Sequence, residues 1–161
     1  MRNEMEIIFD AISDNEGFAR VAVSAFVAHL DPTLEELADI KTAVSEAVTN
    51  AIIHGYENWQ NYNTLKGRQA EYHGGKVSVK CALDKDMLHI EVSDKGKGIS
   101  NVEQAMEPLF TTRPELERSG MGFAFMEAFM DDLEVESEPG KGTTVRMKKK
   151  MKTGDWIDGE D

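Results

Sequence analysis

A carboxylate and a carboxamide are spaced one helical turn apart in the run Glu46-Ala-Val-Thr-Asn50. At 100° per residue, Glu46, Asn50 and His54 form one polar stripe, and apolar residues collect on the opposite side of the same helix. A carboxylate can accept a proton from a nucleophile, and an amide oxygen one turn further on can bind a hard cation such as Mg²⁺. The spacing alone is common on solvated helices. In a suitable pocket it would indicate metal-assisted phosphate chemistry.

A second motif, Asp94-x-Gly96-x-Gly98, follows an apolar strand pattern. Two glycines let the backbone approach a flat ligand closely, and a carboxylate at the strand end could accept from an exocyclic amine such as that of adenine. Taken alone, the motif is more often a charged turn that leaves a strand.

Two further glycine motifs lie near the end of the chain. Gly120-Met-Gly122 precedes a predicted helix, whose exposed N–H groups favour phosphate, and Arg118 adds a positive charge beside it. Thr143 opens the last predicted strand in a Gly-Thr-Thr run, and its hydroxyl could complete a base pocket. Each motif alone also fits a hinge or a turn, but four such motifs in this order are not expected by chance.

The elements that must position these motifs follow from hydrophobic periodicity. Strand patterns cover residues 5–12, 76–83, 87–93, 133–137 and 143–150, and helical patterns cover 14–30, 34–54, 102–106 and 123–130. The first strand is predicted at a sheet edge, and the second and third form a hairpin.

Local signals predict the ends of the two long helices. Ser13 and Glu16 have the spacing of a capping box ahead of the first helix, and Thr33 and Glu36 repeat it ahead of the second. Gly55 is predicted to end the second helix as a left-handed cap.

The composition excludes several classes of function. The 161 residues suffice for one hydrophobic core but not for two comfortable domains. A net charge of −12 and a pI near 4.8 argue against a surface for nucleic acid or anionic membrane, since such surfaces need clustered cations. Cys81 has no partner cysteine, and no apolar run approaches membrane-spanning length. We therefore expect a cytoplasmic protein that contacts neither nucleic acid nor membrane directly.

In combination, the four motifs resemble the ATP-binding domain shared by gyrase, Hsp90, histidine kinases and MutL. The resemblance covers roughly residues 5–150. The residues that match are Glu46, Asn50, Asp94, Gly96, Gly98, Gly120, Gly122 and Thr143. It implies an α/β fold, a two-layer sandwich of a mixed, mainly antiparallel sheet with helices on one face, which uses ATP and Mg²⁺.

Two longer runs, residues 44–56 and 108–122, are similar to a narrower family, the sporulation anti-sigma-F factors. Members of that family are anti-sigma factors and also serine kinases. This resemblance implies a homodimer that binds a sigma factor and phosphorylates an anti-anti-sigma protein on serine.

The resemblance also implies a role for each matched residue. Glu46 would be the base toward a protein hydroxyl, Asn50 would bind Mg²⁺ with the nucleotide, and Asp94 would bind adenine. Gly96 and Gly98 would shape the base pocket. Residues 110–122 would cover the phosphates, with Arg118 at the γ-phosphate. The remaining residues expected to bind ATP are Thr111, Thr112, Gly120, Gly122 and Thr143.

This chain departs from the family in two segments. We expect one ATP-binding domain over residues 1–151, with an inserted loop at 57–75, followed by an acidic, disordered tail at 152–161. Three alternatives stay open: an ATP-gated binding protein without catalysis, a detached histidine-kinase catalytic domain, and an ATPase of the gyrase or Hsp90 type. Glu46 argues against the first two, and the chain length argues against the third.

Arg20 is the only Lys or Arg between Asn3 and Ile40. It could form an exposed i,i+4 pair with Glu16, which is worth only a few tenths of a kcal/mol. It could also contact a partner, since the planar guanidinium binds carboxylates through two hydrogen bonds. We predict the partner contact.

Overall fold

In the part of the chain that the structure describes, a five-stranded sheet carries the helices on one of its faces. The computed structural model describes residues 2–56, 75–107 and 122–152. The strands are β1 (Arg2–Asp10), β2 (Lys76–Asp84), β3 (Met87–Asp94), β4 (Asp132–Glu138) and β5 (Gly142–Lys150), and the α-helices are α1 (Asp14–Val27), α2 (Leu34–Gly55), α3 (Val102–Ala105) and α4 (Gly122–Phe129). A 3₁₀ turn, Ala28–Leu30, extends α1 to its predicted end.

The strands lie in the order β1-β2-β3-β5-β4, and all four neighbouring pairs are antiparallel. The predicted edge position of β1 and the predicted β2–β3 hairpin are confirmed. Strand β5 lies between β3 and β4, so that Asp94 at the end of β3 is opposite Thr143 at the start of β5. The predicted two-layer α/β architecture is confirmed, and within the described residues its sheet is antiparallel throughout.

One face of the sheet and one face of α2 form the hydrophobic core. Alternate residues of a strand share a face, and Val77, Val79 and Cys81 of β2 are accordingly buried. The predicted apolar side of α2 is buried against them, as the fully buried Ile40 and Val44 show. The opposite face of the sheet is polar, and Arg146 pairs there with Glu91 and Glu136.

Only one of the two predicted capping boxes is formed. The Glu36 N–H donates to Thr33 Oγ1 at 3.1 Å and the Thr33 N–H donates to the Glu36 carboxylate at 2.9 Å. The box predicted at Ser13 is wrong, because Ser13 has helical backbone angles and its side chain caps nothing. The carboxylate of Glu16 instead accepts from the Ser45 hydroxyl on α2.

We expect Thr33→Ala to lower the free energy of unfolding by about 1 kcal/mol, because it leaves the amide of Glu36 without its acceptor. Ser13→Ala is the matched control, since it removes the same kind of hydroxyl where no cap is formed. Urea unfolding of both variants measures the difference. Equal losses would contradict the assignment of the caps.

Two predicted segments fall mainly outside the described residues, namely the insertion at 57–75, of which only Gly75 is described, and the acidic tail at 152–161, of which only Lys152 is described. Among the described helices, none is long and apolar enough to cross a membrane.

Candidate functional site

A pocket of about 350 Å³ opens between α2, the end of β3, the loop of residues 95–101 and the turn between β4 and β5. We call it the α2 pocket. The predicted residues among those that line it are Asn50, Asp94, Gly98, Gly122 and Thr143. The fold thus brings together, from four separate parts of the chain, residues that the sequence motifs singled out.

Glu46 and Asn50 converge on the start of α4. A Cβ atom placed on Gly122 would lie 3.0 Å from Asn50 Nδ2 and 3.2 Å from Glu46 Oε2, so both side chains lie against this residue. A carboxylate, an amide and the first turn of a helix therefore share one end of the site. This arrangement suits a proton acceptor beside a bound phosphate.

Asp94 forms the other end of the α2 pocket and is one of two polar residues buried among the described ones. The Gly96 N–H donates to Asp94 Oδ1 at 2.9 Å, and the backbone N–H of Thr143 also donates to this carboxylate. Burial raises the pKa of Asp94 to about 6, against the opposing effect of these two hydrogen bonds. Above this raised pKa the carboxylate is an ionised acceptor, and it lines the pocket.

The buried carboxylate predicts a pH dependence of stability. The folded protein holds the Asp94 proton more tightly than the unfolded chain, so this group stabilises the fold less as the pH rises from 4 to 7. We expect a loss of about 2.5 kcal/mol over that range, roughly half of it above pH 5. Urea unfolding of the wild type and of Asp94→Asn measures it, because the asparagine variant lacks this contribution. Parallel pH curves for the two proteins would contradict the prediction.

Glycines allow the end of α2 to lie directly against Asp94. The predicted left-handed cap at Gly55 is wrong, since Gly55 is not among the positive-φ residues and Tyr56 after it is extended. Gly55 is needed for space instead, because a Cβ there would lie 2.9 Å from Asp94 Oδ1. A Cβ on Gly96 would overlap the carbonyl of Gly55, and Gly98 has a φ of +73°.

Two residues that the sequence reasoning missed hold the 95–101 loop in place. The Tyr56 hydroxyl donates to the Lys76 carbonyl at 2.6 Å and accepts from the Lys95 N–H at 2.9 Å. The Ser137 hydroxyl accepts from the Ile99 N–H at 2.7 Å. A serine on the core-facing side of β4 was the available signal for the second contact.

Four residues predicted to bind ATP, namely Thr111, Thr112, Arg118 and Gly120, lie outside the described residues. Arg20 lies on α1, where its guanidinium is 3.8 Å from the Glu16 carboxylate. The i,i+4 pair is therefore present, and the partner role of Arg20 stays a prediction.

The amide oxygen of Asn50 is a hard donor that fits Mg²⁺. Within the described ranges, no group of three or more His, Cys, Asp or Glu residues could hold a metal ion. A single amide oxygen from Asn50 suits a cation whose other ligands are phosphate oxygens and water. Mg²⁺ is commonly held in this way beside nucleotides.

Comparison with known proteins agrees with this geometry. Residues 13–149 match the family described as the histidine kinase-like ATPase domain. The RsbU and RsbW domains of a Mycobacterium tuberculosis protein superpose with a TM-score of 0.62 at 21% identity, over 92% of this chain and 32% of that one. At that identity the likeness shows the fold.

Closer relatives are named anti-sigma F factor. One from Clostridium beijerinckii is 57% identical over 149 residues, which are 92% of this chain and 95% of the relative. One from Clostridium perfringens is 58% identical over 95% of this chain and all of the relative, and one from a Geobacillus species is 56% identical over 92% of this chain and 93% of the relative.

The fold, the α2 pocket and the matched residues define a histidine kinase-like ATPase domain. Within that class, identities of 56–58% over nearly the whole length are decisive. The chain belongs to the anti-sigma F factor family.

Proposed function

We propose that this protein is a cytoplasmic anti-sigma factor and an ATP-dependent serine kinase. It binds a sporulation sigma factor and holds it inactive, and it phosphorylates an anti-anti-sigma protein on serine. The observation that carries the kinase half is the convergence of Glu46 and Asn50 at Gly122. The names of the relatives support the anti-sigma half.

The residues of the α2 pocket divide between the two ends of a nucleotide. In this proposal Asp94 and Thr143 bind the adenine and Gly98 leaves room for it. Asn50, which lines the same pocket, would hold a phosphate-bound Mg²⁺. A Mg²⁺ ion held by Asn50 would supply positive charge to neutralise the transferred phosphate. Glu46 lies beside Asn50 and accepts the proton of the incoming serine hydroxyl.

The surface of β1 and α1 supports a homodimer. Strand β1 is a sheet edge with one side unpaired among the described strands. Three large apolar side chains are exposed on these two elements, with exposed fractions of 63% for Ile8, 58% for Phe18 and 62% for Val21. An edge strand with apolar residues nearby favours association with a second copy.

We expect Arg20→Ala to leave the free energy of unfolding within about 0.5 kcal/mol and to weaken binding of the sigma factor or the protein substrate by roughly tenfold or more. The guanidinium is exposed and its pair with Glu16 is long, so little stability is lost. Lys141→Ala is the control, because it removes another exposed cation in a local ion pair. Titration that shows unchanged affinity for both partners would contradict the role of Arg20.

The direct test of the kinase is a transfer assay. The purified chain is mixed with Mg²⁺, ATP labelled on the γ-phosphate and candidate anti-anti-sigma proteins, with and without the sigma factor. We expect label on the substrate that survives acid, as phosphoserine does. Acid-labile label would indicate phosphohistidine and a histidine-kinase activity, and no label together with intact ATP binding would indicate a binding protein without catalysis.

A further inference from the structure

Ser137 makes three hydrogen-bond contacts at the wall of the α2 pocket. Its Oγ is 2.7 Å from the Ile99 backbone nitrogen, 3.0 Å from the Gly142 carbonyl oxygen and 2.8 Å from Thr143 Oγ1. Ser137 and Thr143 are direct partners across the β4–β5 ladder, so the two hydroxyls face the same side of the sheet. Of the two, Thr143 lines the pocket.

The number of protons on a hydroxyl fixes the direction of these bonds. A hydroxyl has one donor and two acceptor positions. The Ile99 N–H can only donate and the Gly142 carbonyl can only accept, so the single proton of Ser137 goes to Gly142. The remaining acceptor position of Ser137 must then receive the proton of Thr143. In the arrangement that satisfies all three contacts, Thr143 therefore donates to Ser137.

From this arrangement we propose that Ser137 is a positioning residue that sets nucleobase specificity, by holding the Thr143 hydroxyl with its lone pairs toward the pocket. The inference rests on the proposed use of ATP and goes beyond it. Thr143 is next to Asp94, whose carboxylate accepts the Thr143 backbone N–H. This part of the pocket then presents acceptors from two residues and no hydroxyl donor from either.

Such a surface selects an amino group over a carbonyl group. The exocyclic amine of adenine has two N–H donors to offer, whereas the oxygen of a 6-oxopurine would lie against acceptors. Sites that leave a buried polar group unpaired or opposed discriminate strongly against the wrong ligand. If Ser137 is removed, Thr143 can rotate and direct its proton into the pocket, which relieves the repulsion for the carbonyl.

The test compares Mg-ADP with Mg-IDP. The two ligands carry the same phosphates and differ only at one edge of the base, where the 6-amine of adenine is replaced by a carbonyl and N1 gains a proton. Calorimetry at pH 8 on the full chain should show a preference for ADP in the wild type. In Ser137→Ala the ratio of the Kd for IDP to the Kd for ADP should fall by about tenfold. The reason is that Thr143 can then rotate and donate to the carbonyl of IDP. In Ser137→Thr, which keeps the hydroxyl, the ratio should be restored.

Ser93→Ala is the matched control. Ser93 Oγ is 3.2 Å from Thr144 Oγ1, an equivalent pair of hydroxyls across neighbouring strands that does not line the α2 pocket. We expect the ratio of the Kd for IDP to the Kd for ADP in this variant to equal that of the wild type. A second check uses Thr143→Val, which has no hydroxyl for Ser137 to hold. The double variant Thr143→Val, Ser137→Ala should therefore have the same ratio of Kd values as Thr143→Val alone. If Ser137→Ala does not fold, Ser137→Cys keeps the side-chain volume with weak hydrogen bonding and is expected to give the same loss of preference.

The outcomes separate the two proposals. If Ser137→Ala weakens both nucleotides equally and keeps the ratio, Ser137 is only structural and the specificity role is overturned. A reduced ratio in the Ser93→Ala control would overturn it as well. If the wild type binds neither nucleotide, the proposed ATP-dependent function itself fails.

Discussion

Glu46→Gln is expected to slow phosphate transfer to the protein substrate by about 100-fold to 10,000-fold, the usual contribution of a positioned general base. The Kd for ADP should stay within about twofold of the wild-type value, because the amide keeps the shape of the side chain beside Asn50 and Gly122. The variant removes the proton acceptor and leaves the base end of the α2 pocket unchanged.

Single-turnover transfer at saturating Mg-ATP measures the first quantity, and calorimetry with ADP measures the second. Glu35→Gln is the control, since it makes the same change at an exposed position in the first turn of the same helix. A transfer rate within threefold of the wild type would show that Glu46 is not the base. A large loss of ADP affinity would instead give Glu46 a role in binding.

Asp94→Asn should weaken ADP by about 10-fold to 100-fold, the range expected when a hydrogen bond to a charged acceptor is lost. The Gly96 N–H can keep its bond to the amide oxygen, so the loop after β3 is still held. The new NH₂ group, however, replaces an acceptor and can direct a donor at the amine of adenine.

Calorimetry at pH 8 is the appropriate measurement, because the carboxylate is then ionised in the wild type. Asp84→Asn, at the exposed end of β2, controls for the change of one charge on the same sheet. Equal ADP affinity in Asp94→Asn and the wild type would show that Asp94 does not bind the base.

The two effects predicted for Asp94 have opposite signs. Its ionisation in a buried position costs stability, whereas its acceptor oxygens are needed for the ligand. Asp94→Asn should therefore give a protein that is more stable toward urea near neutral pH and binds nucleotide less well. Functional residues often lower the stability of the folded state in this way. The rest of the fold is stable enough to tolerate the loss.

Local sequence determined the helix that carries the chemistry. The 3.6-residue period separates the apolar side of α2 from Glu46 and Asn50, and a helix obeys that period wherever it packs. The two-residue period of a strand likewise separates the buried from the more exposed side of β2 and β3. The cap at Thr33 was predictable for the same reason, since its partner is only three residues away.

The tertiary structure decided how these parts meet. No local pattern indicates that β5 lies between β3 and β4, yet this pairing places Thr143 opposite Asp94 and Ser137 beside Thr143. The two wrong predictions have the same origin. Glu16 bonds to Ser45 on α2 rather than completing a cap, and Gly55 provides space for Asp94 rather than a left-handed turn. Contacts between residues distant in sequence compete with local preferences, and their strength depends on packing that periodicity does not encode.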